Sequence, residues 1–349
     1  MRIAYLLPAE YAIGNPGNGV TAQACAQAAA MSRLGHDVVY LSPWTFQQEE
    51  GIDVLHFFMG GLALYGIQSS RRLPRTGILV MSPILDTNKA HWLYRIAARA
   101  GSLSGRMNPI PTVLSAQARG SDLVICRSVV EQQNVIQKLG VASERTSVVL
   151  NGVYVPERDE HFMKVVKERY ALPDRFLLHV SGYTDPRKNV LRLTAAATKL
   201  GLPLVVAGHA MPGPIATELQ AIARRTELLR LLGFVDRRTR DALYGLCDTF
   251  CLPSHHEGTG LAALEAGAAG ARIVITHRGG TRDYFGDMAF YASPADEKSI
   301  RQALKRAWDT PPSITLQRHI RTNLSWDASA TSLARSYEVA RNRKTTGRT

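Results

Sequence analysis

Short apolar runs alternate with longer stretches of helical periodicity along most of this chain. The runs are rich in Val, Ile and Leu, a composition typical of strands buried on both faces of a parallel sheet. Strands that alternate with helices predict an α/β fold of doubly wound parallel sheets. In the first half the runs lie at 2–7, 37–41, 53–58, 77–81, 122–126 and 146–150, and in the second half at 176–182, 202–208, 229–233, 249–253 and 272–276.

A polar segment that contains proline, NGVYVPERDE at 151–160, interrupts this alternation, which restarts after it. The break predicts two domains, which we place at 1–158 and 159–325. The last periodic segment, 326–344, predicts one long helix, and a basic polar tail completes 326–349. The residues alone do not assign this helix to either domain.

Composition narrows the class of protein. Of the 349 residues, 45% are hydrophobic and 20% are charged, which suits a buried core and excludes bulk disorder. No segment offers the ~18 apolar residues of a membrane span, and the first residues lack the pattern of a signal peptide, so we expect a cytoplasmic protein. Scattered cysteines predict reduced thiols and no zinc site. They are Cys25, Cys126, Cys247 and Cys251.

The formal charge of +13 narrows the kinds of binding partner that the protein can have. A surface for nucleic acid interleaves basic residues with stacking aromatic residues on one face. Aromatic residues make up 7% of this chain and show no such interleaving, so we expect no nucleic acid partner. An anionic small ligand or an anionic membrane surface fits the charge, and so does a solvated basic face.

Loops that follow strands are the first places to seek chemistry, because ligands of open parallel sheets bind beyond the carboxyl ends of strands. The loop after the first strand carries Gly14, Gly17 and Gly19 ahead of a helix that starts near Val20. Backbone N–H groups at such a helix start suit phosphate, although glycines also build ordinary turns. The loop is neither GxGxxG nor a Walker motif.

A second loop, GYTDPRKN at 182–189, places Arg187 and Lys188 directly before a helix. Two cations at the carboxyl end of a strand are candidates for neutralising a diphosphate. A solvated pair of side chains is an equal alternative.

A third loop leads from the strand at 249–253 into SHHEGTGLAALEAGAAG at 254–270. Glu257 precedes a helix that starts near Gly260, and Glu265 falls in its second turn. Carboxylates accept hydrogen bonds in pairs, which matches the vicinal hydroxyls of a sugar or a ribose; an acidic packing junction is the alternative. The loop HRGGTRDYF at 277–285 adds a glycine pair beside another helix start. Four such loops together favour a ligand site.

These motifs resemble the retaining glycosyltransferases of family 4, which have the GT-B fold of two Rossmann-like domains facing across a cleft. The resemblance covers most of the chain and is strongest from Val180 to Ile300, with the two acids of HEGTGLAALE in an E-x7-E spacing as its signature. The NGV turn at 151–153 also matches. Ser325 and Trp326 match the start of a final helix, which the resemblance implies returns to the first domain.

The resemblance implies a role for each matching position. Glu257 holds hydroxyls of the donor sugar, Glu265 holds the donor ribose, and Arg187 and Lys188 neutralise the departing diphosphate. Catalytic roles are therefore expected for Arg187, Lys188 and Glu257. The implied donor-binding set is Gly17, Gly19, Val20, Gly182, Phe234, Val235, Glu257, Gly258, Thr259, Gly260, Leu261 and Glu265.

Within that set, the backbone N–H groups around Gly260 and Leu261 are expected to meet the diphosphate. Phe234 and Val235 are expected to flank the nucleotide base, and residues 17–20 to close over the phosphates and the acceptor from the facing domain. The chain departs from the pattern of this family at two places. Gly182 occupies a position where many relatives have arginine. Ser82, Pro83 and Asp86 lie where many relatives have a histidine, which affects the acceptor side.

The resemblance implies transfer of a sugar from a UDP- or GDP-linked donor to a glycan, a glycolipid or a small molecule, in bacterial polysaccharide or glycoconjugate synthesis. The chain has no Asp-x-Asp motif of the kind that holds a metal in GT-A enzymes, so we expect no metal and no cofactor. The alternatives are a nucleotide-sugar epimerase and a nucleotide-sugar-binding protein without catalysis. An NAD(P) dehydrogenase ranks lower because the GxGxxG motif is missing.

A last segment, KAHWLYRIAARAGSLSGR at 89–106, is basic, aromatic and of helical pattern. It could lie on an anionic membrane surface, at the inner face of the membrane, and meet a lipid-linked acceptor. The favoured alternative is a helix that packs Trp92 and Ile96 inward and keeps Arg95, Arg99 and Arg106 in water.

Overall fold

The computed structural model describes residues 1–8, 19–41, 50–59, 77–85, 92, 94, 96 and 110–346. The chain divides into two compact units, the first formed by Met1–Gly152 with Ser325–Thr349 and the second by Val153–Leu324. The division after Gly152 lies six residues before the expected boundary at 158/159, within the NGV turn itself.

The first unit contains a six-stranded sheet in the order β2-β1-β3-β4-β5-β6, and every neighbouring pair is parallel. Its strands are β1 (Arg2–Leu6), β2 (Asp37–Tyr40), β3 (Val54–Phe58), β4 (Ile78–Ser82), β5 (Leu123–Cys126) and β6 (Thr146–Val148). Its described helices are α1 (Gly19–Arg33), α2 (Ile110–Gly120), α3 (Val129–Asn134), a π-helical turn (Val135–Leu139) and a 3-10 turn (Ser143–Arg145).

Both faces of this sheet are covered, as the apolar runs predict. Because side chains alternate along a strand, Leu55 and Phe57 enter one hydrophobic cluster while Val54 and Phe58 enter the other. The second cluster also contains residues of α1 and of the long final helix.

The final helix, Trp326–Thr346, packs on the first unit. Its buried Tyr337 hydroxyl lies 2.6 Å from Nδ1 of His56 in β3, and Nε2 of His56 lies 2.8 Å from Oγ of Ser82 at the end of β4. Burial lowers the pKa of His56 to about 3, so this imidazole is neutral. The helix is therefore tied to the centre of the sheet by a buried polar chain as well as by apolar contact.

Gly152 lies where the chain leaves the first unit, directly against the point of return. A Cβ added at Gly152 would lie 2.4 Å from Cα and from the backbone nitrogen of Trp326. A side chain at 152 would therefore have to displace backbone, which accounts for glycine in the NGV turn.

The second unit contains another six-stranded parallel sheet, in the order β12-β11-β10-β7-β8-β9. Its strands are β7 (Leu177–Val180), β8 (Leu204–Ala207), β9 (Leu229–Gly233), β10 (Thr249–Leu252), β11 (Arg272–Thr276) and β12 (Phe290–Ala292). Its helices are α4 (Glu160–Arg169), α5 (Val190–Lys199), α6 (Pro214–Ala223), α7 (Arg237–Leu246), α8 (Leu261–Ala269), α9 (Thr281–Phe285), α10 (Glu297–Asp309) and α11 (Thr315–Asn323), and the final helix of the chain is α12.

All eleven predicted strands are present, and the predicted α/β class of parallel sheets is confirmed. The twelfth strand, β12, was not predicted. It is three residues long and lies at the edge of the sheet, so it has little of the apolar pattern that reveals a central strand. In the part of the chain that the structure describes, no helix has the length and apolar character needed to cross a membrane.

The strand order of the second sheet reverses next to β7. From β7 the chain runs outward through β8 and β9, then returns to the other side of β7 with β10 and continues through β11 to β12. Connections from β7 and β10 therefore leave in opposite directions and open a crevice at the carboxyl ends of these two strands, which is where open α/β sheets bind ligands.

Candidate functional site

The crevice between β7 and β10 holds an ion pair formed by two residues of the predicted site. Nζ of Lys188, from the loop after β7, lies 2.7 Å from Oε1 of Glu257, from the loop after β10. Both side chains are largely buried. The strand order thus brings together two predicted residues that lie 69 positions apart in sequence.

Asn189 fixes the loop that carries Lys188. Its backbone is left-handed, with φ of 60°, a conformation that asparagine tolerates better than most residues. Its side-chain amide donates to the carbonyl oxygens of Pro253 and Pro294, each at 2.9 Å. One buried amide therefore joins the loop after β7 to the loops after β10 and β12.

Glu257 is fixed by its own backbone. Its N–H donates to the carbonyl of Arg278 at 3.1 Å, and its carbonyl accepts from the N–H of Gly280 at 3.0 Å. Gly279 between them has φ of 101°, and a Cβ there would lie 2.0 Å from the carbonyl oxygen of Glu257. Gly279, the first glycine of the pair predicted at this loop, is therefore needed for close backbone contact with Glu257.

His179 joins β7 to β10. Its Nδ1 lies 2.8 Å from the carbonyl oxygen of Cys251, and its Nε2 lies 2.6 Å from Oγ of Ser181. Because a carbonyl oxygen only accepts, Nδ1 carries the proton and Nε2 accepts from the hydroxyl. Burial lowers the pKa of His179 to about 4, so the imidazole stays neutral and acts as a fixed cross-link.

Helix α8 starts at Leu261, immediately after the loop that carries Glu257. The first N–H groups of a helix have no partner within the helix, and its N-terminus bears a partial positive charge. Gly258, Thr259 and Gly260 are buried in the loop, with Oγ1 of Thr259 3.3 Å from the hydroxyl of Tyr284. The arrangement can receive an anion beside Lys188.

Glu265 lies in the second turn of α8, as predicted. Its carboxylate faces α7, where Nη2 of Arg240 lies 3.8 Å from Oε1 of Glu265. Burial raises the pKa of Glu265, and the charge of Arg240 opposes that rise. A carboxylate held in this way can accept two hydrogen bonds from a diol.

The two residues expected at the base differ in exposure. Phe234, after β9, is 67% exposed, whereas Val235 is only 9% exposed. The ring of Phe234 packs against that of His209, from the loop after the neighbouring β8, with 4.5 Å between ring centroids and 32° between the ring planes. Phe234 therefore presents an aromatic surface to a ligand, whereas Val235 offers little exposed surface for contact.

Residues 165–323 match the family of glycosyl transferases group 1. The match covers most of the second unit. The mannosyltransferase WbdA of Escherichia coli is 29% identical over 55% of this chain and 25% of its own length. Glycogen synthase of Mycobacterium tuberculosis is 25% identical over 69% of this chain and 59% of its own length. The chain thus spans about a quarter of the first relative and well under two thirds of the second.

Solved structures resemble the chain over nearly its whole length. Sucrose-phosphate synthase of Thermosynechococcus elongatus matches with a TM-score of 0.72 and 16% identity, over 97% of this chain and 98% of that one. HepE of Anabaena, solved with UDP, matches with a TM-score of 0.71 and 18% identity, over 97% and 100%. At these identities the likeness concerns the fold, and the expected GT-B fold class of two Rossmann-like units is confirmed.

The other residues predicted for the site lie at its rim, in the first unit or outside the described residues. Arg187 is exposed and pairs with Asp185 at 2.7 Å, so it lies less deeply than Lys188. At Gly182, a Cβ would meet no atom within 4 Å. Gly19 and Val20 begin α1 in the first unit, while Gly14, Gly17 and Asp86 lie outside the described residues.

The structure places Ser82 in the core of the first unit and changes one expectation, that for Trp92 and Ile96. Ser82 is buried and bonded to His56, so it belongs to the core. The expectation that Trp92 and Ile96 pack inward is wrong, since they are 62% and 57% exposed and Tyr94 between them is buried. The basic residues Lys89, Arg95, Arg99 and Arg106 lie outside the described residues.

Sequence reasoning missed three groups that hold the site together. His179 lies within an apolar strand run, where nothing marks it as a cross-link. Asn189 resembles an ordinary helix cap, a signal that gives no hint of its bonds to Pro253 and Pro294. Arg240 contributed only to the basic charge, because no spacing in a single sequence links it to Glu265.

The described residues contain no group of three His, Cys, Asp or Glu side chains placed to hold a metal ion. All four cysteines are free thiols.

The neutral His179 predicts a pH-dependent stability of the second unit. Its folded pKa of about 4 lies below the ordinary value of 6.5, so the unfolded chain binds a proton first. This group therefore removes stability as the pH falls from about 6.5 to about 4, by an amount on the order of 3 kcal/mol. In His179→Gln, thermal unfolding followed by circular dichroism should depend less on pH in this range. The control His209→Gln, at an exposed ring, should keep the wild-type slope, and equal slopes for all three proteins would contradict the assignment.

Proposed function

We propose that this protein is a glycosyltransferase that moves a sugar from a nucleoside diphosphate sugar to an acceptor. The observation that supports it most is the meeting of Lys188 and Glu257 at the reversal of the strand order, beside the N-terminus of α8. A cation and a helix N-terminus suit the diphosphate of such a donor, and a carboxylate suits the hydroxyls of its sugar.

Each group has a task in this proposal. The carboxylate of Glu265 accepts hydrogen bonds from the ribose hydroxyls, and that of Glu257 accepts from hydroxyls of the donor sugar. The N–H groups of Gly260 and Leu261 bind the diphosphate. The base stacks on the exposed ring of Phe234, with His209 supporting that ring from behind.

Breaking the bond between the sugar and its diphosphate places negative charge on the leaving group. Groups that are already oriented toward that charge stabilise it without having to reorganise, and they act most strongly where water is excluded. Lys188 is held in such a place by Asn189 and by its pair with Glu257. The exposed Arg187 adds charge from the rim, and the proposal requires no metal ion.

The donor and the stereochemistry rest on likeness to relatives. We propose a UDP- or GDP-linked donor and retention of the anomeric configuration, as in glycosyltransferase family 4. Mannose and glucose are the sugars to test first, since the named relatives are a mannosyltransferase and a glycogen synthase. The proposed acceptor is a glycan, a glycolipid or a small molecule in polysaccharide or glycoconjugate synthesis.

An epimerase or a binding protein without catalysis would use the same donor site. Release of nucleoside diphosphate, measured with and without acceptor, separates the three. A transferase releases it faster with acceptor, whereas an epimerase converts the sugar without acceptor and a binding protein releases none.

Binding of nucleotide is tested by thermal shift with UDP, GDP, TDP and their sugars. A ligand at 100 times its Kd stabilises the native state by about 2.7 kcal/mol, which raises the Tm measurably. Glu265→Ala should abolish the shift, because the ribose loses its acceptor, and Lys188→Ala should reduce it. Glu218→Ala, an exposed position on α6, is the control and should keep the full shift. A wild-type Tm that none of these nucleotides raises would contradict the proposal.

We also propose that the first unit meets its acceptor at an anionic membrane surface through Trp92 and Ile96. These side chains lie one helical turn apart, are both exposed, and can enter the lipid headgroup region. The wild type should sediment with anionic liposomes, and the double variant Trp92→Ala, Ile96→Ala should sediment less. Equal sedimentation of the two proteins would exclude this role.

A further inference from the structure

Arg240 is a half-buried cation between two carboxylates. It lies in the first turn of α7, with Nη2 3.8 Å from Oε1 of Glu265 on α8 and 3.5 Å from Oδ1 of Asp241. Its guanidinium carbon lies 5.8 Å from the centre of the Tyr244 ring. Since α7 and α8 pack side by side, this residue lies behind the carboxylate that we assign to the ribose.

The surroundings of the Glu265 carboxyl group disfavour its ionised form. Its side chain is 17% exposed, and burial raises its pKa. Among the described residues, the charged and titratable groups that act on it all come from α7. Arg240, Tyr244 and Arg237 favour the ionised form, and Asp241 opposes it. Arg240 has the largest of these charge effects, so the ionisation of Glu265 depends on Arg240 more than on any other of these groups.

The ionisation of Glu265 matters for binding a diol, because only an ionised carboxylate offers both oxygens as acceptors. A protonated carboxyl group donates from one oxygen and cannot accept two hydroxyl hydrogen bonds from a diol in the same way. An opposite charge within about 4–6 Å of a carboxylate typically lowers its pKa by about 1–3 units. A nearby cation can therefore decide whether a buried carboxylate binds a diol at ordinary pH.

We propose that Arg240 is a positioning residue of the nucleotide site, which holds Glu265 as a carboxylate in the orientation that receives the ribose hydroxyls. This inference rests on the proposed function, because ribose binding is the task assigned to Glu265. Arg240 itself need not touch the nucleotide. Its side chain acts through Glu265, as residues around a binding site commonly do when they orient the residues that contact the ligand.

The test measures affinity for UDP and GDP by calorimetry between pH 5 and 8, for the wild type and three variants. Arg240→Met keeps much of the side-chain length and removes the charge, and Arg240→Lys keeps the charge. Arg224→Met is the control, at the exposed residue that follows α6. In Arg240→Met the acid limb of the affinity profile should move up by about one pH unit or more. Affinity on that limb should fall about tenfold per unit.

Arg240→Lys should recover much of the wild-type profile, and Arg224→Met should reproduce it. A purely structural role would lower the affinity of Arg240→Met equally at every pH and would overturn the inference. The ¹³C signal of the Glu265 carboxyl, identified by its absence in Glu265→Gln, gives a second readout in the protein without nucleotide. Its titration midpoint should rise by a similar amount in Arg240→Met, and an unchanged midpoint would also overturn the inference.

The two proposals fail in different ways. If the wild type binds neither UDP nor GDP, the proposed function fails and this inference fails with it. If the wild type binds nucleotide and Arg240→Met binds it with the same affinity and pH profile, only the role of Arg240 is excluded. Circular dichroism of Arg240→Met at each pH shows whether the variant is folded.

Discussion

The pairing of Lys188 with Glu257 depends on one constraint, the reversal of strand order beside β7 in the second sheet. Two loops that are far apart in sequence leave neighbouring strands in opposite directions, so their first residues border the same crevice. The pair, the start of α8 and Glu265 all follow from that arrangement. A shift in the pairing of β7 with β10 would separate the cation from the carboxylate and remove the basis of the proposed donor site.

Neutral, buried groups keep this arrangement rigid. Asn189 donates to two carbonyl groups, His179 bridges β7 and β10, and Gly279 allows backbone contact with Glu257. These contacts hold the charged side chains before any ligand arrives, so little ordering remains to be done on binding. Charged groups supply the attraction for a diphosphate, and uncharged ones determine where the charges are.

Much of the fold is readable in the sequence because a buried parallel strand needs a continuous apolar run, and eleven of the twelve strands among the described residues have one. The three-residue β12 lacks such a run. The pair of glutamates is readable from spacing, since Glu257 and Glu265 lie on either side of one helix start. Arg240 is not, because its meeting with Glu265 depends on how α7 packs on α8. The exposure of Trp92 and Ile96 likewise depends on tertiary packing, which helical periodicity alone does not predict.

A crystal structure of the protein with UDP or GDP bound is the most direct test of the donor site. We expect the ribose hydroxyls at hydrogen-bonding distance from the Glu265 carboxylate, about 2.5–3.0 Å. The diphosphate oxygens should contact Nζ of Lys188 and the N–H groups of Gly260 and Leu261. A nucleotide bound elsewhere, with the pair of Lys188 and Glu257 intact and Glu265 untouched, would contradict the account.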